Sequence, residues 1–455
     1  MGTKRTFTEG KIFSPLISFA FPVLIALFLQ AMYGAVDLWV VGKFGSAADV
    51  SAVATGGQVT YTVTVVIVGL SMGITVLIGQ KIGEGREKEA GQVIGSGICM
   101  FLLISIALTA AMLLSAEPLA HLMQAPEAAL SQTVDYLRIC FAGTAFIVAY
   151  NVLGSVFRGI GDSKMPLITV AIACVFNIIG DLIFVAVFHM GTQGAALATV
   201  MAQAFSVLLS IFIIRRRMLP FSLRKKDLRP EKKHIQKILS LGAQVAFQDL
   251  LVNISFLVIM AIVNSMGVIA SAGVGVAEKL CVFIMLVPSA YMQSMAAFVA
   301  QNVGAKRLDR AGKALLYGIL SSLVVGLVMA YLSFFHGSAL STLFVKENDT
   351  AVIMAASDYL RAYSIDCILT SFLFCFIGYF NGRGKTLFVM IQGIVGAFGV
   401  RIPVSYLMTL TDGASLFHIG LATPASSVVQ ILLCAGYFLL LKRRQKKFLL
   451  ENSAE

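Results

Sequence analysis

The sequence predicts an all-α polytopic membrane protein with twelve transmembrane helices in two six-helix bundles. Three observations predict it: apolar runs of membrane-crossing length, basic residues confined to one set of loops, and an internal duplication. Hydrophobic residues make up 58% of the 455 positions and charged residues only 13%, against roughly 25% charged in a soluble domain. A bilayer solvates that much apolar surface, whereas the core of a soluble protein cannot enclose it.

A span needs about 20 predominantly apolar residues. Twelve such runs are expected, at 13–42, 51–79, 91–115, 133–157, 165–188, 194–214, 238–263, 270–300, 314–335, 357–380, 386–410 and 415–441. The 40 glycines suit this class, because Gly lets neighbouring helices approach closely in lipid. The apolar run of the first span continues past Ala31 with no small-residue cleavage site, so it is expected to be a span and not a removable leader.

Basic residues orient the spans. With the N-terminus in the cytoplasm, 29 of the 35 Lys and Arg residues fall in inside segments, and only Lys43 and Lys346 fall outside. A miscounted helix would reverse every loop after it. Both termini are therefore expected in the cytoplasm of a cell (inner) membrane protein. The net charge of +12 sits in short loops between apolar segments, which argues against a nucleic-acid partner. The seven cysteines are scattered singly without a C-x-x-C, so they indicate neither a disulfide framework nor a zinc site.

The densest basic stretch, 215–237, contains Pro220 and Pro230 and reads as a cytoplasmic linker. It divides the chain into an N-terminal six-helix lobe (1–214) and a C-terminal one (238–441), followed by a cytoplasmic tail (442–455). Three motifs recur across the linker. Gln80-Lys-Ile-Gly83 followed by Ala90 returns as Gln301-Asn-Val-Gly304 followed by Ala311. Asp135-Tyr-Leu-Arg138 returns as Asp358-Tyr-Leu-Arg361, and Phe157-Arg-Gly-Ile-Gly161 returns as Phe380-Asn-Gly-Arg-Gly384. The offsets are 221, 223 and 223 residues, so one register explains all three. Because six is even, both lobes enter the membrane in the same direction and are related by a pseudo-two-fold axis along its normal. The Q-x-x-G segments are expected to end helices, with Gly supplying a left-handed cap, and to serve structure or gating. They are not phosphate loops, since no G-x-x-x-x-G-K-[ST] is present.

Acidic residues within spans are costly and mark candidate functional sites. Asp37 lies late in the first span and Asp181 in the fifth, with Asn177 one turn before Asp181 on the same helix face. Together they would form an oxygen-lined pocket for a proton or a hard monovalent cation. The alternatives are that Asp37 is merely solvated at its helix end, and that Asn177 and Asp181 make a structural bond between helices. The second half carries Asp249, Glu278 and Asp366, together with Lys279 and Arg401. Glu278 and Lys279 are adjacent, so they face different directions; either is a candidate to pair with Arg401 or Asp366. Val400 and Val404 stand at the positions equivalent to Asn177 and Asp181, so the set is not repeated.

The duplicated Q-x-x-G-x6-A, the F-R-G-x-G-D after the fourth span and the 6+6 plan resemble multidrug and toxic compound extrusion (MATE) transporters. Pro22, Gln30, Asp37 and Gly42 in the first span look like the prokaryotic, DinF-like branch. The resemblance implies secondary export of organic cations or amphipathic compounds in exchange for H+ or Na+, by alternating access and without a cofactor. It adds Asn151 and Thr199 to Asp37, Asn177 and Asp181 as cation-coupling positions, with Na+ at Asp37, Asn177, Asp181 and Thr199 as the one metal to consider. It links Gln30 to substrate contact and Pro22 to helix bending, although Pro in a helix often only kinks it. Glu278, Asp366 and Arg401 are the corresponding candidates for a substrate or gating role in the C-terminal lobe. The sodium-coupled branch carries a glutamate in the seventh span; Val252 stands there, which puts a C-terminal cation site of that kind in doubt. The partners implied are a small-molecule substrate and the bilayer, with a monomer expected because two lobes already build one cavity. The alternative within the superfamily is a flippase or exporter for a lipid-linked precursor or a dedicated metabolite. An enzyme is not expected, because the five histidines lie in loops or at span ends without metal-ligand spacing.

Overall fold

Hydrocarbon offers no partner for a peptide group, so a chain that crosses it must satisfy its backbone within each segment. The computed structural model describes residues 7–216, 229–345, 349–411, 413 and 415–451, apart from the side chains of 448–450. Among these residues there are helices and turns and no strand. Much of the expected linker, with Arg217, Arg224, Lys225 and Lys226, lies outside the described residues, as do Lys4, Arg5 and Lys346.

The first half contains α1 (Phe13–Phe44), α2 (Ala47–Gly83), α3 (Glu87–Leu122), α4 (Leu130–Ala142), α5 (Thr144–Ile160), α6 (Lys164–Asp181) and α7 (Gly191–Arg216). The second contains α8 (Lys232–Asn264), α9 (Val268–Ile284), α10 (Leu286–Gly304), α11 (Leu308–Phe335), α12 (Gly337–Ser341), α13 (Thr350–Gly382), α14 (Thr386–Ile394), α15 (Ile402–Thr409), α16 (Leu416–Gly420) and α17 (Ala422–Glu451). Among the described residues, eleven helical runs are long and apolar enough to cross a membrane, and the bent pair α4–α5 makes twelve.

The span expected at 133–157 is this bent pair. The two pieces meet at 51°, at Gly143, where the Val200 side chain of α7 takes the space a Cβ would fill. Two further helices depart from plain α geometry. α6 continues as a π-helical stretch, Leu182–Val187, and α14 and α15 are joined by another, Val395–Arg401. Outward-facing Leu103, Leu114 and Leu257 are largely exposed on their helices, which suits lipid. Trp39 is also exposed, with the Lys43 ammonium 5.3 Å from its ring, a pairing suited to a membrane interface.

Two compact units are present. The first comprises Met1–Asp249, Ala296–Gly312 and Asn381–Gly384; the second comprises Leu250–Met295, Lys313–Phe380 and Lys385–Glu455. The first packs around Ile74, Ile78, Ile94, Phe101, Val152 and Ile238. The second packs around Ile259, Val274, Tyr359, Leu360 and Ile419. The repeated D-Y-L-R segment does equivalent work in both. Asp135 accepts from Gln193 Nε2 at 3.0 Å in the first unit, and Asp358 accepts from the Phe417 backbone N–H at 3.0 Å in the second. Each ties its helix to the start of the last span of its half.

The Q-x-x-G motifs meet inside the first unit in a reciprocal clasp. Gln80 Nε2 donates to the Gly382 carbonyl at 3.2 Å, and Gln301 Nε2 donates to the Gly159 carbonyl at 3.0 Å. Each glutamine thus binds the F-x-G segment of the other repeat. Gly83 lies against the Gln301 backbone and Gly304 against the Gln80 backbone, too close for any Cβ. This corrects the expected left-handed caps: both glycines are the last residues of their helices, and positive φ falls instead at Gly85 and Lys306. The N-terminal segment is bound beside the clasp. Arg310 donates to the carbonyls of Gly10 (2.8 Å), Phe7 (3.2 Å) and Glu9 (3.2 Å), while the Phe7 ring sits between Phe19 and Phe298.

Leucine at Gly83 or Gly304 must push two backbones apart, at a cost of about 1–3 kcal/mol typical of overpacking. The thermal midpoint of the detergent-purified protein is expected to fall in both variants. Gly312 is helical with open space where a Cβ would lie. Gly312→Ala is therefore expected to raise the midpoint slightly, by the ~0.5–1 kcal/mol that Ala gains over Gly in a helix.

Candidate functional site

The first unit gathers polar side chains from α1, α6 and α7 in a place that hydrophobic packing alone would fill with Leu or Val. α1 places Asp37 near its end, 3% exposed. One turn apart on α6, Asn177 and Asp181 are both fully buried, so they share a face as their spacing requires. Thr199 of α7 donates its hydroxyl to Asp37 Oδ2 at 3.0 Å, and Asn177 Nδ2 donates to Thr199 Oγ1 at 3.4 Å. A short chain of donors, Asn177 to Thr199 to Asp37, thus ends on a carboxylate.

Acceptors outnumber donors here. Asp37 Oδ1, Asn177 Oδ1 and both carboxyl oxygens of Asp181 are buried with no donor from the protein. Asp37 and Asp181 are close enough to influence one another electrostatically. Two ionised carboxylates only accept, so a proton or a cation beside them would relieve their repulsion. Several buried oxygens with no donor suit a hard monovalent cation or a proton. Among the described residues no group of three or more His, Cys, Asp or Glu could hold a metal ion.

Asp181 is the last residue of α6 before the π-helical stretch. The wider turn is marked by Phe188 N–H donating to the Ile183 carbonyl. π-Turns are rare and recur at functional positions. The apolar run of this span gave no sign of one.

Asn151 makes no hydrogen bond to Asp37, Asn177, Asp181 or Thr199 among the described residues. It is buried on α5, but its Nδ2 donates to the Ile147 carbonyl of its own helix at 2.8 Å. Gln30 donates to the Tyr150 hydroxyl at 2.7 Å, tying α1 to α5. Pro22 is buried inside α1, where it cannot donate to the carbonyl four residues back. Sequence reasoning missed two tyrosines: Tyr150, and Tyr33, whose hydroxyl donates to the Val170 carbonyl of α6 at 3.0 Å. Tyr33 lies four residues before Asp37, a spacing that puts both on one face of α1 and was available as a signal.

In the second unit, Asp366 of α13 is 2% exposed and Arg401 is 6% exposed. Arg401 is the last residue of the π-helical stretch Val395–Arg401. Its Nη1 donates to Ser255 Oγ at 3.0 Å, and its guanidinium lies 4.4 Å from the Phe256 ring centre. Glu278 is half-buried on α9 and Lys279 is exposed. Among the described residues no ion pair joins Glu278 or Lys279 to Arg401 or Asp366, nor Arg401 to Asp366, within 4.0 Å. Asp249, on α8, belongs to the first unit, near Tyr61.

Comparison with known proteins fits this architecture. The family model MatE matches residues 22–183 and again 245–407. The second match begins 223 residues after the first, in the register of the internal repeat. The chain is 27% identical over 416 residues to the Probable multidrug resistance protein YpnP of Bacillus subtilis, covering 91% of this chain and 92% of that one. It is 24% identical over 427 residues to an FAD transporter of Shewanella oneidensis, covering 92% of each. Its fold matches a crystal structure of MATE in complex with MaL6 with a TM-score of 0.92, at 19% identity over 98% of this chain and 100% of that one. The family model covers most of both halves, and this chain belongs to the MatE family of membrane transporters, which are not enzymes.

Proposed function

We propose that this protein is an ion-coupled exporter of small organic cations or amphipathic compounds, exchanging them for H+ or Na+ at a site built from Asp37, Asn177, Asp181 and Thr199. The observation that carries the proposal is a pair of buried carboxylates with three of their four oxygens, and the Asn177 amide oxygen beside them, lacking a donor. The YpnP relative, described as a probable multidrug resistance protein, supports the same class of cargo. Asn151 is a secondary member of the proposed site, because its amide nitrogen is engaged by its own helix.

The coupling follows from charge. Both carboxylates ionised make a double negative charge in a medium that solvates it poorly, and either a cationic substrate or the coupling ion neutralises it. The two ligands therefore exclude one another, and each weakens the binding of the other by the same factor. To invert a 99:1 conformational equilibrium, a ligand must discriminate between the states by about 5.5 kcal/mol. One unit charge 4 Å from another is worth about 4 kcal/mol at an effective dielectric of 20. A cation between two carboxylates thus has a gross interaction of the required size, before its own dehydration is subtracted.

In this scheme the lobes 1–214 and 238–441 are the moving parts, joined by the cytoplasmic linker 215–237 and followed by the tail 442–455. The chain works as a monomer in the cell membrane with both termini inside. Gln30, bonded to Tyr150, contacts substrate. Pro22 lets α1 bend as the ion site fills. Glu278, Asp366 and Arg401 line the substrate or gating region of the second unit.

Inverted membrane vesicles containing the protein are expected to take up a fluorescent organic cation when either a proton or a sodium gradient is imposed, and the driving gradient identifies the ion. Asp37→Asn and Asp181→Asn should each abolish gradient-driven uptake; unchanged uptake in both would sink the proposal. Uptake of an anionic dinucleotide, but of no cation, would instead place this chain beside the FAD-transporting relative.

Thr199→Val removes the hydroxyl that donates to Asp37. It is expected to change affinity for the coupling ion by the ~1–3 kcal/mol that an unsatisfied buried partner costs. Asn151→Ala should change it by less than Thr199→Val does. Titration of the purified variants with the coupling ion measures both effects.

A further inference from the structure

The two halves treat their fifth span in opposite ways. In the first, α6 and the π-helical stretch after it meet at Asp181; in the second, the π-helical stretch between α14 and α15 ends on Arg401. An acid stands at one π boundary and a guanidinium at the other. In the first unit the acid faces a second acid, Asp37. In the second, the charged neighbour of Arg401 is the buried carboxylate Asp366.

The surroundings of Arg401 hold it in place without saturating it. Ser255 accepts from Nη1, Phe256 stacks beneath the guanidinium, and Nε has no acceptor. Stacking on an aromatic ring adds roughly 0.5–2 kcal/mol and fixes the plane of the group. Asp366 Oδ1 is likewise buried without a donor. The other titratable groups around the two are Tyr359, Tyr363 and Cys367 on α13 and Glu278 and Cys281 on α9, while Ser427 of α17 lies beside the Asp366 carboxylate. No ion pair closer than 4.0 Å ties Arg401 to any of them among the described residues. The guanidinium thus faces Asp366 as a fixed positive charge without a salt bridge, and is anchored by Ser255 and Phe256.

A buried carboxylate without a positive partner is costly, and the same holds for a buried guanidinium. In the first unit two acids share a site with no fixed positive charge, so a mobile ion must supply it. The second unit carries its own. We infer that Arg401 is a resident cation: it stands in for a coupling ion beside Asp366, so that the second unit stays balanced throughout the transport cycle and only the first unit takes up H+ or Na+. Arg401 is a positioning charge in this scheme. The inference rests on the ion site proposed for Asp37 and Asp181. Removing the guanidinium should leave Asp366 to recruit a cation from solution through its free oxygen, turning a fixed charge into a second ion site.

The test uses the full chain in detergent, with thermal midpoints measured against Na+ at constant ionic strength and against pH. Asp37→Asn should lose the ion-dependent shift of the wild type. Asp37→Asn combined with Arg401→Gln should regain one, and adding Asp366→Asn should remove it again. Arg401→Lys in the Asp37→Asn background should show none, because the positive charge is kept. If the Arg401→Gln protein does not fold, adding Asp366→Asn should restore folding by removing both charges together. The inference is overturned if Asp37→Asn with Arg401→Gln folds and shows no ion-dependent shift. It is also overturned if Asp366→Asn fails to rescue an unfolded Arg401→Gln protein, or if Asp37→Asn alone keeps an ion-dependent shift that Asp366→Asn abolishes. A wild type with no ion-dependent shift would instead count against the Asp37–Asp181 site, while a shift gained on Arg401→Gln would still support the resident cation.

Discussion

Every backbone amide that crosses the hydrocarbon must find its partner inside its own segment, and the rest of the structure follows from this constraint. It makes the chain helical almost throughout and forces loops toward the water. It also sets the cost of each polar side chain that remains at depth. Against that background, a departure from regular helix is informative. The π-helical stretches at Leu182–Val187 and Val395–Arg401 and the 51° bend at Gly143 are the places where the backbone rule is locally relaxed. Two of the three adjoin a buried ionisable residue.

Duplication supplies the second principle. The Q-x-x-G and F-x-G motifs cross over, so that Gln80 serves the second repeat and Gln301 serves the first. A motif that binds its counterpart in the other half is under pressure to stay paired in both. The D-Y-L-R motif works within each half separately, and it too has kept its role. The residues of the proposed ion site have diverged. Asn177 and Asp181 have valines as their equivalents, while Arg401 has no charged counterpart in the first half. Structural symmetry is retained where the repeats hold each other or their own helices, and lost where the two halves carry different charge.

That divergence suits a transporter that couples one ion to one cargo. In the proposed function, a single site with two acids would couple ion and substrate through their competition for the same negative charge. A second, identical site would change the stoichiometry. On the inference drawn for Arg401, a fixed guanidinium in its place would keep the other half electrically quiet while retaining a polar centre.

The sequence by itself determined the fold class, the approximate spans, the repeat and the acids worth examining. Span length, basic-residue asymmetry and a common offset of motifs are one-dimensional properties, and hydrocarbon thickness and membrane topology translate them directly into structure. The shared face of Asn177 and Asp181 was legible for the same reason, since helical periodicity is local. Tertiary structure decided the rest, because the answers depend on residues far apart in the chain. Only packing brings Thr199 to Asp37, turns Asn151 back to its own helix and seats Arg401 between Ser255 and Phe256. Gly83 and Gly304 read as caps in sequence because a lone glycine near a helix end usually is one; the backbone of the other repeat, more than 200 residues away, is what excludes a side chain there. The π-turns were invisible in sequence, since their apolar residues fit an α-helix equally well and only three-dimensional packing selects the wider turn.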